Sequence, residues 1–138
     1  MDAAALERRP QVWCTEIPGG VDAACSARQL LTERLAGSTP EQTMHDIHLL
    51  ATELVTNAVL HAGVGDSGTV VMRVAALPGA VKVSVTDPGE VASRPEVQEL
   101  DLSVPGGMGL FLVEQISSAW GYERTPEGAN RVWFQVAA

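Results

Sequence analysis

One long amphipathic segment constrains the fold most. Residues from about Pro40 to Ala62, which include "ATELVTNAVLHA", carry Ile47, Leu54, Val55, Ala58 and Ala62 on one helical arc. Ser38 or Thr39 can cap the start, Pro40 suits a first helical position and Gly63 is a natural stop. Glu53, Asn57 and His61 recur within this helix at four-residue intervals. At about 100° per residue, each step drifts only about 40° around the axis. The three polar groups therefore form one stripe, each a turn above the last, beside the apolar arc. A stripe at the edge of a buried face lies where a cleft would be.

The rest of the chain supplies the partners for that helix. "QVWCTEIPGG" reads as a short strand closing in a Pro-Gly-Gly turn. "VDAACSARQLLTERLAG" reads as a helix, with Ala24, Arg28, Leu31 and Leu35 at three- and four-residue spacings and Gly37 just past its end. "GTVVMRVAAL" and "AVKVSVTD" flank Pro78-Gly79 and read as a hairpin. In the second, Val81, Val83 and Val85 alternate with Lys82, Ser84 and Thr86, the pattern of a strand with one buried face. Residues 88 to 106 hold two Pro-Gly pairs and no strong period, so they read as a long loop, with a helical turn near Glu96 to Leu100 at most. "GGMGLFLVEQISSAWG" restarts a helix, and "GYERTPEGANRVWFQVAA" closes as two strands around a turn. The expected architecture is α+β: a two-layer sandwich of a mixed or antiparallel sheet with helices on one face. Residues 1–10 read as an N-terminal tail and 11–138 as one domain.

The chain is 46% hydrophobic and 19% charged, a balance that excludes a disordered polypeptide. Its net charge of −8 argues against a sequence-independent grip on nucleic acid. It is compatible with a protein partner or a locally bound anion. The two cysteines, Cys14 and Cys25, form no CxxC or Cys/His cluster, which argues against zinc. No stretch reaches the roughly 18 to 20 apolar residues of a membrane span, and the start lacks a secretory run. A cytoplasmic location is expected.

Three features carry candidate chemistry. A carboxylate at a cleft rim, Glu53, can deprotonate a nucleophile. A neutral amide oxygen one turn away, Asn57, suits Mg2+, which keeps phosphates and waters as its other ligands. The bland alternative places Glu53 on the surface, with Asn57 and His61 satisfied by backbone. Asp87 ends a strand and precedes Pro88-Gly89; its carboxylate can accept a hydrogen bond from an exocyclic amine, and Gly89 lets a flat ring approach. An ordinary Asp-Pro-Gly turn is the alternative there. Gly106, Gly107 and Gly109 lead into a helix whose free N–H groups could bind phosphate. No Gly-Lys-Ser/Thr follows, so this is not a P-loop.

In this order, the motifs resemble the GHKL superfamily of ATPases, which includes histidine-kinase catalytic domains, gyrase and MutL. "ELVTN" resembles its N box, "DPG" its first glycine box and "GGMGL" its second, over residues 11 to 136. Glu-x-x-x-Asn-Ala-x-x-His with "GMGLFLVE" is similar to the anti-sigma-factor serine kinases. The resemblance implies the ATP-binding Bergerat fold, with ATP and Mg2+ as ligands. It implies Glu53 as general base, Asn57 as Mg2+ ligand, Asp87 at the adenine amine and Gly89 beneath the ring. Residues 90 to 106 would form a lid, and Gly107, Met108 and Gly109 would cradle the phosphates, with His61, Gly106 and Leu110 also at the nucleotide. The implied reaction is transfer of the γ-phosphoryl group to a serine or threonine of an anti-sigma-factor antagonist. The implied partners are that antagonist and a sigma factor, and a homodimer is the family expectation.

The chain departs from the family at three places. Val91 stands where a second glycine is usual, the lid is acidic (Glu90, Glu96, Glu99 and Asp101 against Arg94), and Asn130 or Arg131 stands where a threonine is common. A nucleotide-gated or nucleotide-free module that acts by protein capture is therefore an alternative to an active kinase. A detached histidine-kinase catalytic domain fits less well, because Leu60 stands where that branch often has a basic residue.

Overall fold

The computed structural model describes residues 10–61, 68–87, 107–126 and 128–138. The elements follow the expected order: β1 (Gln11–Pro18), α1 (Ala23–Leu35), α2 (Glu41–His61), β2 (Thr69–Leu77), β3 (Ala80–Asp87), α3 (Gly107–Ile116), β4 (Ala119–Arg124) and β5 (Asn130–Ala137). The five strands form one sheet in the order β1-β2-β3-β5-β4, and every pairing is antiparallel. The sheet expected as mixed or antiparallel is antiparallel throughout.

The period-2 pattern of β3 sets the buried face. Val81, Val83 and Val85 pair with Val136, Phe134 and Val132 of β5. On the other side they pair with Ala76, Val74 and Met72 of β2. Phe134 and Val83 are fully buried, and this face joins Ile47, Leu50, Leu54 and Val55 of α2 and Leu31 and Leu35 of α1 in one core. Val113 of α3 completes it. Such a core is the main favourable term in folding, at about 25 cal/mol per Å2 of apolar surface removed from water. The β2–β3 hairpin turns through Gly79, whose φ of 78° needs a residue without a Cβ.

The opposite sheet face is polar but not uniformly solvated. Lys82 places Nζ 4.5 Å from the ring centroid of Trp133. Trp133 lies over Gly121, where an added Cβ would stand 2.9 Å from the indole Nε1. Ser84, expected on the open side, is buried at 6% exposure, flanked in register by Arg73 and Trp133. Large neighbours on adjacent strands cover a small residue between them.

The helices differ from the sequence expectation in detail. The buried line of α1 is Ala23, Ala27, Leu31 and Leu35, an even four-residue step, rather than Ala24, Arg28, Leu31 and Leu35. Arg28 instead sits in the groove beside α2, where Nη1 donates to Thr52 Oγ1 at 3.0 Å. Ser38 closes α1 by donating from Oγ to the Leu35 carbonyl, so it does not open α2. The first bond of α2 runs from the Met44 N–H to the Pro40 carbonyl, and the helix ends at His61. Gly37 has a φ of 85°, as a residue past a helix end often does. Both cysteines are exposed free thiols. Among the described residues no helix is long and apolar enough to cross a membrane.

Candidate functional site

α2 packs against β3 and β5 on one side and against α3 on another. It thereby gathers the three elements that bear the candidate residues. Glu53 and Asn57 lie on α2 one turn apart, both half-buried, beside the core arc of Leu50, Leu54 and Ala58. Burial pushes the Glu53 carboxyl above its ordinary value. Water is a better solvent for the carboxylate than this rim is, so the protonated form gains. A raised carboxyl is a stronger proton acceptor near neutral pH.

Asn57 is the more unusual residue. Its Oδ1 and Nδ2 are both buried, and neither has a hydrogen-bond partner among the described residues. Leaving a buried polar group unmade costs about 1–3 kcal/mol. Packing alone gives no reason to keep a carboxamide there, because leucine has a similar volume and no such cost. A bound group that supplies a cation to Oδ1 and an acceptor to Nδ2 would remove the deficit. The donor set fits Mg2+, a hard cation that takes amide and carboxylate oxygens. Among the described residues no cluster of three His, Cys, Asp or Glu side chains could hold a metal unaided. A cation at Asn57 would draw most of its ligands from phosphates and water.

Asp87 is the last residue of β3, on the sheet face that the helices cover, and is 7% exposed. Register pairs it with Asn130, the first residue of β5, which is 3% exposed. Asn130 Nδ2 donates to Asp87 Oδ1 at 3.4 Å. The sequence left Asn130 and Arg131 as alternatives for this place; the register puts Asn130 beside Asp87 and turns Arg131 to the other face. Strand alternation could not decide between them, because it needs the offset of β5 against β3. Asn130 is the site-adjacent residue that no local motif marked.

Gly107, Met108, Gly109 and Leu110 form the first turn of α3, where backbone N–H groups are left without helical acceptors. His61 closes α2, and its side chain lies outside the described part of the structure. Gly89, Gly106 and the expected lid of residues 90 to 106, Val91 included, also lie outside it.

Solved structures share this fold. The crystal structure of the RsbU and RsbW domains of Rv1364c from Mycobacterium tuberculosis matches with a TM-score of 0.68 and 23% identity, over 92% of this chain. The chain spans 32% of that protein's length. A chain of the SiaB-SiaC complex from Pseudomonas aeruginosa matches with a TM-score of 0.62 and 16% identity, over 100% of this chain and 99% of that one. No curated protein sequence matches. The family model for the histidine kinase-like ATPase domain matches residues 18–136, nearly the whole chain. The fold, the motif order and that match agree, and the chain belongs to the histidine kinase-like ATPase domain family.

Proposed function

We propose that this chain is an ATP-dependent partner-switching regulator, a serine/threonine kinase of the anti-sigma-factor type. Family membership implies ATP binding. The observation that carries the rest is the unpartnered buried carboxamide of Asn57, one turn from the desolvated Glu53. In this reading Asn57 Oδ1 is the side-chain atom that would hold Mg2+, and the chemistry the cation would supply is to offset charge on the triphosphate. Asp87 accepts from the adenine amine, with Gly89 below the ring. The first turn of α3, Gly107 to Leu110, offers N–H groups to the phosphates, with Gly106 before it and His61 close by.

Transfer then needs little covalent help from the protein. The hydroxyl oxygen of a partner serine or threonine bonds to the γ-phosphorus. The bond from that phosphorus to the β–γ bridging oxygen breaks, and ADP leaves with the electron pair. Glu53 takes the hydroxyl proton. The partner class is an anti-sigma-factor antagonist, with a sigma factor as the alternative ligand of the same protein. Support comes from the two similar structures, one holding RsbU and RsbW domains and one a SiaB-SiaC complex. A homodimer and a cytoplasmic location belong to the same reading.

Glu53→Ala is expected to abolish phosphoryl transfer to such an antagonist while Mg-ATP still binds. An unchanged transfer rate would remove Glu53 from the role of base. One sequence feature favours a second reading: Val91 in place of the second glycine fits a module that binds nucleotide and captures protein without turnover. Tight ATP binding with no transfer by the wild-type protein would select that reading.

A further inference from the structure

β4 is the last strand of the sheet, and among the described residues no strand pairs with its outer side. Such an edge offers unpaired N–H and C=O groups to another chain. The other edge, β1, is better protected. It follows Pro10 and ends in Pro18, and proline has no N–H to give a ladder. β4 holds no proline. Its register against β5 sets Trp120, Tyr122 and Arg124 opposite Phe134, Val132 and Asn130, on the face that the helices cover. Trp120 packs against the core there. Tyr122 is 48% exposed, and Arg124, also exposed, has no acidic partner among the described residues. Ala119, Gly121 and Glu123 take the open face, where Arg131 of the same chain engages Glu123 at 2.9 Å. One face of a free edge thus carries an indole, an exposed phenol and an unpaired guanidinium in a row.

We propose that the outer edge of β4 pairs antiparallel with β4 of a second copy of this chain, about a two-fold axis that passes at Tyr122 normal to the sheet. Such an axis keeps like faces together, so directly opposite residues share a face and the axis must fall at a residue. At Tyr122 the two tyrosines meet, and each Trp120 lies opposite Arg124 of the partner subunit. Aromatic pairs across a ladder stabilise it, and a guanidinium over an indole adds a cation–π contact. Each Glu123 lies opposite Gly121 of the partner subunit, so the carboxylates stay apart. Neighbouring registers are poorer. An axis at Glu123 sets two carboxylates against each other. One at Gly121 leaves Arg124 opposite Ser118, and one at Trp120 leaves Tyr122 there, before the strand begins. The chain's net charge of −8 opposes self-association, but Glu123 and Arg124 cancel within this strand. The inference gives a surface to the homodimer of the functional reading, and the pairing itself needs no nucleotide.

The test is analytical sedimentation of the full chain without nucleotide, from about 1 μM to about 1 mM, because so short an interface makes a weak dimer. Wild type is expected to pass from monomer to dimer across that range. Tyr122→Asp sets two carboxylates on the axis and is expected to weaken association at least about a hundredfold. Its melting temperature should change little, since the residue is exposed. Crosslinking reads the register separately, in a Cys14→Ser, Cys25→Ser background that removes the two exposed thiols. Residues opposite each other across a ladder stand about 4.5–5.5 Å apart at Cα, within disulfide reach. Tyr122→Cys should therefore form a covalent dimer with oxidised glutathione. Arg124→Cys should not, because its two thiols would lie about 13 Å apart along the strands. A wild type that stays monomeric to about 1 mM would overturn the inference. So would a Tyr122→Asp dimer as tight as wild type, or equal crosslinking at the two positions. Wild-type protein that binds no ATP would instead overturn the functional reading and leave this pairing standing.

Discussion

Thr32 Oγ1 of α1 lies 2.9 Å from His48 Nε2 of α2. The same hydroxyl donates its proton to the Arg28 carbonyl at 3.0 Å, so its oxygen is left to accept. That assigns the His48 proton to Nε2. Burial is the largest influence lowering the His48 pKa, followed by the charges of Arg28 and His45. The neutral ring is therefore the form that suits this helix contact.

A histidine held below its ordinary value of about 6.5 contributes stability that is present above that pH. The contribution is lost as the pH falls through the lower, folded-state value. Denaturant midpoints of the wild-type protein should fall on the acid side of about pH 6.5. His48→Gln keeps a donor for Thr32 and removes the titration, so its curve should be flatter there. Parallel curves for the two proteins would show that His48 does not carry the effect.

Gly121 marks a packing constraint on the open face. A methyl group at this position would stand 2.9 Å from Nε1 of Trp133, closer than real Cβ contacts allow. Gly121→Ala must displace the indole, and with it the Lys82 ammonium that sits over the ring. Overpacking of this kind costs typically about 1–3 kcal/mol. Urea unfolding should show a loss in that range, and Trp133→Leu should reduce the further cost of Gly121→Ala. Equal costs in the two backgrounds would show that the indole is not the obstacle.

Asn57 and Glu53 should both cost the ligand-free protein stability. Asn57→Leu removes two unsatisfied buried atoms at nearly constant volume, and a gain of roughly 1–2 kcal/mol in denaturant unfolding is expected. Glu53→Gln removes a carboxyl whose folded pKa is raised. Such a group favours the folded state at low pH, and that stability is lost as the pH rises through the raised value. The glutamine variant should therefore show a smaller decline on going from acid to neutral pH. A destabilised Asn57→Leu would show that its carboxamide is satisfied in the free protein.

Local pattern carried much of this fold. The alternation of Val81, Val83 and Val85 names the buried face of β3, and the glycines at 37 and 79 sit where the backbone takes positive φ. The Glu53-Asn57 stripe was legible because helical period alone places both residues on one line. What the sequence left open was tertiary. The buried line of α1 shifts to Ala23 and Ala27 because Arg28 finds Thr52, a residue 24 positions later on the next helix. Ser38 serves α1 rather than α2 because its hydroxyl meets the Leu35 carbonyl, a bond no propensity encodes. Asn130 meets Asp87 across 43 residues, through a strand register set by the whole sheet. Of the expected site, Gly89, Gly106 and the His61 side chain lie outside the described residues.

The most direct measurement of the central claim is calorimetric titration of ATP into the wild-type protein and Asn57→Leu, each with and without Mg2+. Wild type should bind ATP more tightly when Mg2+ is present. Asn57→Leu should lose that Mg2+-dependent gain while remaining folded and at least as stable as wild type. Equal Mg2+-dependent affinity in the two proteins would contradict the account, since the buried carboxamide would then have no part in holding the nucleotide.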